Sequence, residues 1–358
     1  MAPARAATIT EPLTRRAFLR RAARCGAAWG AAQLLRPARL RAEGPPPLGR
    51  IAYQLSWIKN FQYAGCYLAQ ERGYYARNGL GVDLVAGGPT INADPIVASG
   101  RALVGQSSPD FIANAVSKGA RLRGIGADYQ QTVFCIISMA RQALRVPGDL
   151  IGRRIGIQTN NLVIWHAFLR LNGIDPGRIV TVPVQYDLTP LVAGEVDGFF
   201  GYLNDDAVHL RTSGHEIHCL KFSDFGYRMF TATYSVPEAA LRDPRQRAQL
   251  VAFVRGEALG WRDAIEHPRL AARLTTDVYG RDNGLDFAVE LASCLATNPL
   301  MESAATRRHG LFWMSPQGVA DTITTLAAAR VRAAPELFTN EILEEAYQGE
   351  SLPRPSPA

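Results

Sequence analysis

The most constraining feature of this chain is a pattern that starts, stops and starts again. From "RIAYQL" to "RGIGADY", short apolar runs alternate with helical stretches: "QYAGCYLAQERGYYARNG" reads as a helix closed by Gly79, "VDLVAG" as a strand, "DPIVASG" as a helix, "ALVGQS" as a strand and "PDFIANAVSKG" as a helix. This β-α-β order predicts a parallel-rich sheet flanked by helices. The pattern resumes at "RRIGIQT", continues through the helix "NLVIWHAFLRLNG" and the strand "RIVTVPV", and ends with "LTPLVAG", "VDGFFGY" and "NDDAVHLRTSG". "PIVASGRALVGQSSPDFIANAVSKG" from Pro95 and "PLVAGEVDGFFGYLNDDAVHLRTSG" from Pro190 share one scheme of proline, aliphatic residues, Val-Ala, glycine, strand, polar pair, helix and glycine. The prediction is an α/β chain of two similar lobes.

After Pro237 the sequence turns helical, with "AQLVAFVRGEALGWRDAIEH", "LAARLTTDVYG", "DFAVELASCLATN" and "GVADTITTLAAARV" carrying apolar residues at three- and four-residue spacing. These helices are expected to pack on the lobes. The predicted organisation places a first lobe at residues 50–139 and 230–345, a second lobe at 140–229, a linker at 43–49 ("EGPPPLG") and a tail at 346–358. Chain crossings are expected near residues 136–143 and 224–231.

The charge is unevenly placed. Of a formal net charge of +7, residues 1–42 hold nine arginines and one glutamate, so the remainder stands at −1. The basic balance belongs to the N-terminal segment, which removes the argument for nucleic-acid binding by the body of the protein. Within that segment, "TRRAFLRRAARCGAAWGAAQLL" has paired arginines, then Phe18 and Leu19, then a weakly apolar run from Cys25 to Leu35. It resembles a twin-arginine export signal, which implies a periplasmic destination. A basic amphipathic helix is the alternative. The later cysteines, Cys66, Cys135, Cys219 and Cys294, form no C-x-x-C pair and sit in apolar contexts, so free buried thiols are expected rather than two disulfides.

No catalytic constellation stands out. "HEIH" at residues 215–218 falls where a strand is expected, which would put its two rings on opposite faces, so no metal site is assigned. "VAGGPTINAD" lacks the Lys-Ser/Thr of a phosphate loop, and no G-x-S-x-G elbow is present. Polar and aromatic residues do gather where strands end: Trp57, Asn60, Gln62 and Tyr63; Gly88 with Thr90; Ser107, Ser108 and Asp110; Tyr129 with Gln130; Thr159, Asn160 and Asn161; Tyr186; Tyr202 with Asn204. Each Asn, Ser or Asp alone is explained by helix capping. Their recurrence beside aromatics fits a cleft for a flat, uncharged heterocycle, since an anion would call for more Arg or Lys.

The segments "LSWIKNFQYAGCYLAQERGYYARNGLGVDLVAGG", "VASGRALVGQSSPD", "GRRIGIQTNN", "GEVDGFFGY", "FSDFGY" and "ELFTNEILEEAY" together resemble the bacterial ABC-transporter substrate-binding proteins for thiamine-pyrimidine precursors, riboflavin, nitrate or sulfonate. The resemblance implies a type II periplasmic-binding fold, a monomer that closes on a small heterocyclic solute, a membrane permease as partner, and no cofactor. Trp57 and Tyr63 would sandwich the ring, with Asn60 and Gln62 at its edge. Ser107, Ser108 and Asp110 would add contacts from the first lobe, and Asn160, Asn161, Tyr186 and Tyr202 from the second. The same fold family includes thiamine pyrimidine synthase, an enzyme that needs a pyridoxal phosphate-bearing lysine and a histidine just after the third strand, and a cysteine-rich iron motif. Here Ser107 and Phe111 occupy the first region, and "DFGYRMFTATY" contains no cysteine. A solute-sensing domain would predict the same cleft.

Overall fold

The computed structural model describes residues 47–348; the proposed export signal, most of the linker and all but the first three residues of the tail lie outside the described residues. Ten strands form two five-stranded sheets: β1 (Gly49–Gln54), β2 (Leu80–Val85), β3 (Val104–Ser107), β4 (Leu122–Tyr129), β5 (Phe134–Met139), β6 (Arg154–Ile157), β7 (Val180–Pro183), β8 (Gly198–Tyr202), β9 (Ile217–Lys221) and β10 (Thr231–Pro237). The first sheet runs β2-β1-β3-β10-β4 and the second β7-β6-β8-β5-β9. The two orders are equivalent, as the repeated sequence scheme requires.

In each sheet the β-α-β strands pair in parallel, β2-β1-β3 and β7-β6-β8. The strand that enters from the opposite sheet, β10 or β5, lies antiparallel to both neighbours. The sheets are therefore mixed, because a strand arriving from the other sheet has no right-handed crossover helix to reverse its direction. β5 hydrogen-bonds wholly within the second sheet, so Phe134–Met139 does not belong with the first. The first crossing is residues 130–133, shorter and earlier than the sequence suggests. An apolar run such as "FCIISM" carries no mark of which sheet it joins. The chain returns to the first sheet through residues 226–230, ahead of β10. The Thr231 Oγ1 donates to the Gln131 carbonyl at 3.0 Å and ties the start of β10 to the first crossing.

The stretch expected as one helix from Gln62 to Gly79 is broken. A 3-10 turn at Phe61–Tyr63 leads into a helix at Ala64–Glu71, and Gly73, at φ 67°, separates it from a short helix at Tyr74–Arg77. "ERGY" holds the break: glycine takes that left-handed conformation at the least steric cost. The 23-residue helix Pro244–Glu266, capped by Asp243 with Pro244 at its first position, packs along this broken helix. Gly65, Gly256 and Gly260 face Trp261, Tyr75 and the Gly65 carbonyl respectively, so the two helices approach at backbone distance. The C-terminal helix Glu341–Tyr347 clamps the other side through Arg247, which pairs with Glu341 at 3.0 Å and Glu345 at 2.8 Å. This helix extends two residues into the region expected as tail.

In the second lobe the helix Leu162–Leu171 buries Trp165 and Phe168 against the sheet, and Phe168 stacks on Phe222 with centroids 3.8 Å apart. The helix Phe287–Thr297 packs on Asp206–Thr212 of the second lobe and on the Phe61–Tyr63 turn of the first. It is thus a bridge between the two. The four described cysteines are free thiols. Among the described residues no helix is long and apolar enough to cross a membrane.

Candidate functional site

Strand β1 ends at Gln54, and the chain then forms a lip, Ser56–Asn60, before the 3-10 turn. Tyr63 is 1 % exposed, and its hydroxyl accepts the Trp57 backbone N–H at 2.7 Å and lies 3.0 Å from Ser56 Oγ. Ser56 Oγ donates to Gln106 Oε1 at 3.1 Å, and Gln106 Nε2 donates to Asp128 Oδ2 at 3.0 Å. The proton directions are mutually consistent if Tyr63 donates to Ser56. Tyr63 therefore props the lip from beneath, with its ring buried, where the sequence reading places it in a sandwich. The sequence could not distinguish them, because both roles require an aromatic residue near the lip.

The ring that faces Trp57 comes from the other lobe. Tyr186, in the loop after β7 and 42 % exposed, meets Trp57 with centroids 5.3 Å apart and planes inclined at 58°. Asn160 Nδ2 donates to the Tyr186 hydroxyl at 2.5 Å and sets the phenol's position. Two strand-end loops from different sheets thus touch through an aromatic pair, beside a cavity of about 690 Å³ lined by Trp57, Asn60 and Tyr186 among others.

Most of the other expected residues serve the scaffold. Asn60 is buried, and its Oδ1 caps the 3-10 turn by accepting the Gln62 N–H at 3.1 Å. Gln62 supplies that N–H and stays half-buried outside the cavity wall. Gly88 is buried in the loop after β2, where its carbonyl accepts from Ile91. Ser107 donates to the buried carboxyl of Asp94 at 2.6 Å, and Ser108 donates to Asp110. Burial raises Asp110 above the usual carboxylate range. Asn161 donates to Gln158 at 3.0 Å, and Tyr202 stands beside it, half-buried at the second sheet's end. Asn204 donates to Thr297 at 2.9 Å, and the buried Tyr129 hydroxyl lies next to both without a fully formed hydrogen bond. That cluster joins β4, the loop after β8 and the bridging helix.

The cavity also has walls that strand-end reasoning missed. Asp187, Asp205, Asp206, Asp286 and Glu290 line it, with His209 and His215. Asp206, which accepts the Tyr202 N–H at 3.0 Å, is pushed up to about 8 by burial and by the neighbouring Asp205 charge. Glu290 is pushed up to about 7 by burial and, to a lesser degree, by Asp205 and Asp286, against the Phe61 N–H that favours its charged form. "NDDAVHL" carried a legible signal in its paired acids. Glu290 did not, because it stands on a helix remote in sequence. His215 precedes β9, so the expected placement of both histidines in that strand holds only for His218.

Two mixed sheets with equivalent strand order, joined by two crossings and flanked by helices, make the fold of the periplasmic binding proteins. The aliphatic sulphonate binding protein SsuA of Escherichia coli superimposes with a TM-score of 0.60 over 83 % of this chain and 91 % of its own, at 15 % identity. The chain belongs to the NMT1/THI5-like family, whose model matches residues 60–271. Its relatives include a formylaminopyrimidine-binding protein of Halalkalibacterium halodurans, 26 % identical over 62 % of this chain and 68 % of the relative. The riboflavin-binding protein RibY of Chloroflexus aurantiacus is 23 % identical over 83 % and 87 %. A 4-amino-5-hydroxymethyl-2-methylpyrimidine phosphate synthase of Legionella pneumophila is 24 % identical over 63 % and 72 %.

Proposed function

We propose that this protein is the solute-binding component of an ABC importer, which captures a small flat heterocycle between its lobes and delivers it to a membrane permease. The observation that carries this is the Trp57–Tyr186 pair: two strand-end loops of different sheets meet over a cavity large enough for a small ring system. The lobes would divide at residues 130–133 and 226–230, and opening there would part Trp57 from Tyr186. The binding-protein relatives support the role, and one of them is named for a pyrimidine and another for a flavin. The paired arginines Arg15 and Arg16 would direct export by the twin-arginine route.

A thermal-shift screen of pyrimidines, flavins and small aromatic compounds tests the proposal, since a ligand at 100 times its Kd adds about 2.7 kcal/mol to stability. Stabilisation that saturates with concentration is the expected result; a flat response across the panel opposes it.

The synthase relative makes an enzyme reading the second candidate. A Schiff base needs an amine, and Ser107 and Phe111 stand where the family resemblance would put the reactive lysine and histidine. Incubation of the protein with pyridoxal phosphate, iron and oxygen separates the two: formation of a new pyrimidine would establish the enzyme.

A further inference from the structure

The charge of the cavity narrows the solute. Its walls hold five carboxyl groups and two imidazoles, and neither Lys nor Arg is among the lining residues. A sulphonate, phosphate or carboxylate entering it would find no Lys or Arg on the wall to receive its charge. Trp57 and Tyr186 present π-faces, which attract cations as well as flat rings.

Glu290 is the best-placed of these acids. It is 4 % exposed and stands in the first turn of the helix Phe287–Thr297, whose start is capped by Asp286. Its Oε2 is fixed by the Phe61 N–H at 2.8 Å, directly beneath the Trp57 lip. Among the described residues, Oε1 takes no hydrogen bond and no Lys, Arg or His forms a salt bridge with the group. Oε1 is thus left as an acceptor on the cavity wall, and a charge-assisted hydrogen bond from a cationic ligand N–H there is stronger than one from a neutral donor. Asp205 adds a second carboxyl on the facing lobe, opposed there by His209.

Resting on the solute-binding proposal above, we infer that the cavity selects a flat ligand bearing a positive charge, of the amidinium or protonated amino-heterocycle class, and that Glu290 reads the charge by accepting a ligand N–H at Oε1. Specificity then comes from the bridging helix, and the aromatic lip supplies affinity that is less sensitive to the ligand's identity. This goes beyond the neutral ligand suggested by the strand ends, because the acids sit on elements that the strand-end pattern does not include.

The test is a charge series of one shape: benzamidine, cationic at pH 8, benzamide, neutral, and benzoate, anionic. Binding is measured by ligand-observed NMR and calorimetry on the wild type and Glu290→Gln, which retains an acceptor for the Phe61 N–H. Circular dichroism and Tm establish that the variant is folded. Benzamidine is expected to bind at least about tenfold more tightly than benzamide, with benzoate weakest. Glu290→Gln is expected to bring benzamidine to within about threefold of benzamide. Equal binding of benzamide and benzamidine, tighter binding of benzoate, a preference unchanged in Glu290→Gln, or no binding by any of the three overturns the inference. A neutral flavin or pyrimidine that stabilises the protein in the thermal-shift screen, alongside such a failure, leaves the solute-binding proposal standing. No stabilisation by any solute removes both.

Discussion

Glu257 offers a test of the first lobe's core that needs no ligand. It lies on the helix Pro244–Glu266, 1 % exposed, and accepts hydrogen bonds from the Tyr234 hydroxyl at 3.1 Å and from the Tyr75 hydroxyl. No cation forms a salt bridge with it among the described residues, and burial pushes its carboxyl from an ordinary 4.5 up to about 7, against the two tyrosine hydrogen bonds. Asp128 is nearby and is itself held well above its usual range by burial and by the Glu257 charge. The folded state therefore binds a proton that the unfolded chain releases between pH 4.5 and about 7. In that window the folded state holds more protons, so stability falls as pH rises. The contribution is present below the unfolded value and is lost as pH passes through the folded one. At about 1.36 kcal/mol per unit, Glu257 alone accounts for a loss of roughly 3 kcal/mol across the window. Urea denaturation at pH 5, 6, 7 and 8, with wild type and Glu257→Gln compared at constant m, reads this directly. The substitution is expected to flatten the decline by about 2–3 kcal/mol. Parallel curves for the two proteins would refute the reasoning, whatever their offset.

Two further outcomes follow from the packing. A Cβ at Gly260 would run into the Gly65 carbonyl and Ala69, so Gly260→Ala is expected to cost about 1–3 kcal/mol and lower Tm by several degrees, measured by scanning calorimetry; an unchanged Tm would show that the helices have room to separate. Among the thiols, Cys219 is half-buried beside Arg211, whose Nη2 lies 3.5 Å from its sulfur, and its pKa is lowered to about 7 by the neighbouring Cys135 and by Arg211. Iodoacetamide at pH 7.5 should therefore label Cys219 before Cys66, Cys135 or Cys294, with peptide mass spectrometry as the readout; preferential labelling of a buried thiol would contradict the assignment.

The fold was legible because its strands are short, apolar and separated by glycine-closed helices, as at Gly79 and Gly173, which both take positive φ. What the pattern lacked was the break at Gly73, where "ERGY" is compatible with either a helix or a turn, and the sheet to which β5 belongs. Strand pairing is a long-range property, and "FCIISM" has no local feature that selects it. The site was half legible. Trp57, Asn160 and Tyr186 converge at the cavity, while Tyr63 and Ser107 bond a backbone N–H and a buried carboxyl, Asn161 bonds the Gln158 amide, and Asn60 both caps the turn and lines the cavity. A polar side chain at a strand end can cap or bind, and only its neighbours decide. The acids of the cavity were invisible to the pattern for a different reason: Glu290 reaches the lip from a helix more than two hundred residues away in sequence, through the Phe61 N–H.

The most direct test of the central proposal is a calorimetric titration of the strongest thermal-shift ligand into wild type and Trp57→Ala. An aromatic contact of this kind is worth about 0.5–1.5 kcal/mol beyond the area it buries, so the loss of the indole should weaken binding by about tenfold or more. The account predicts one saturable site in the wild type and that loss in the variant. Equal affinity in the two proteins, or no saturable binding to the wild type, would contradict it.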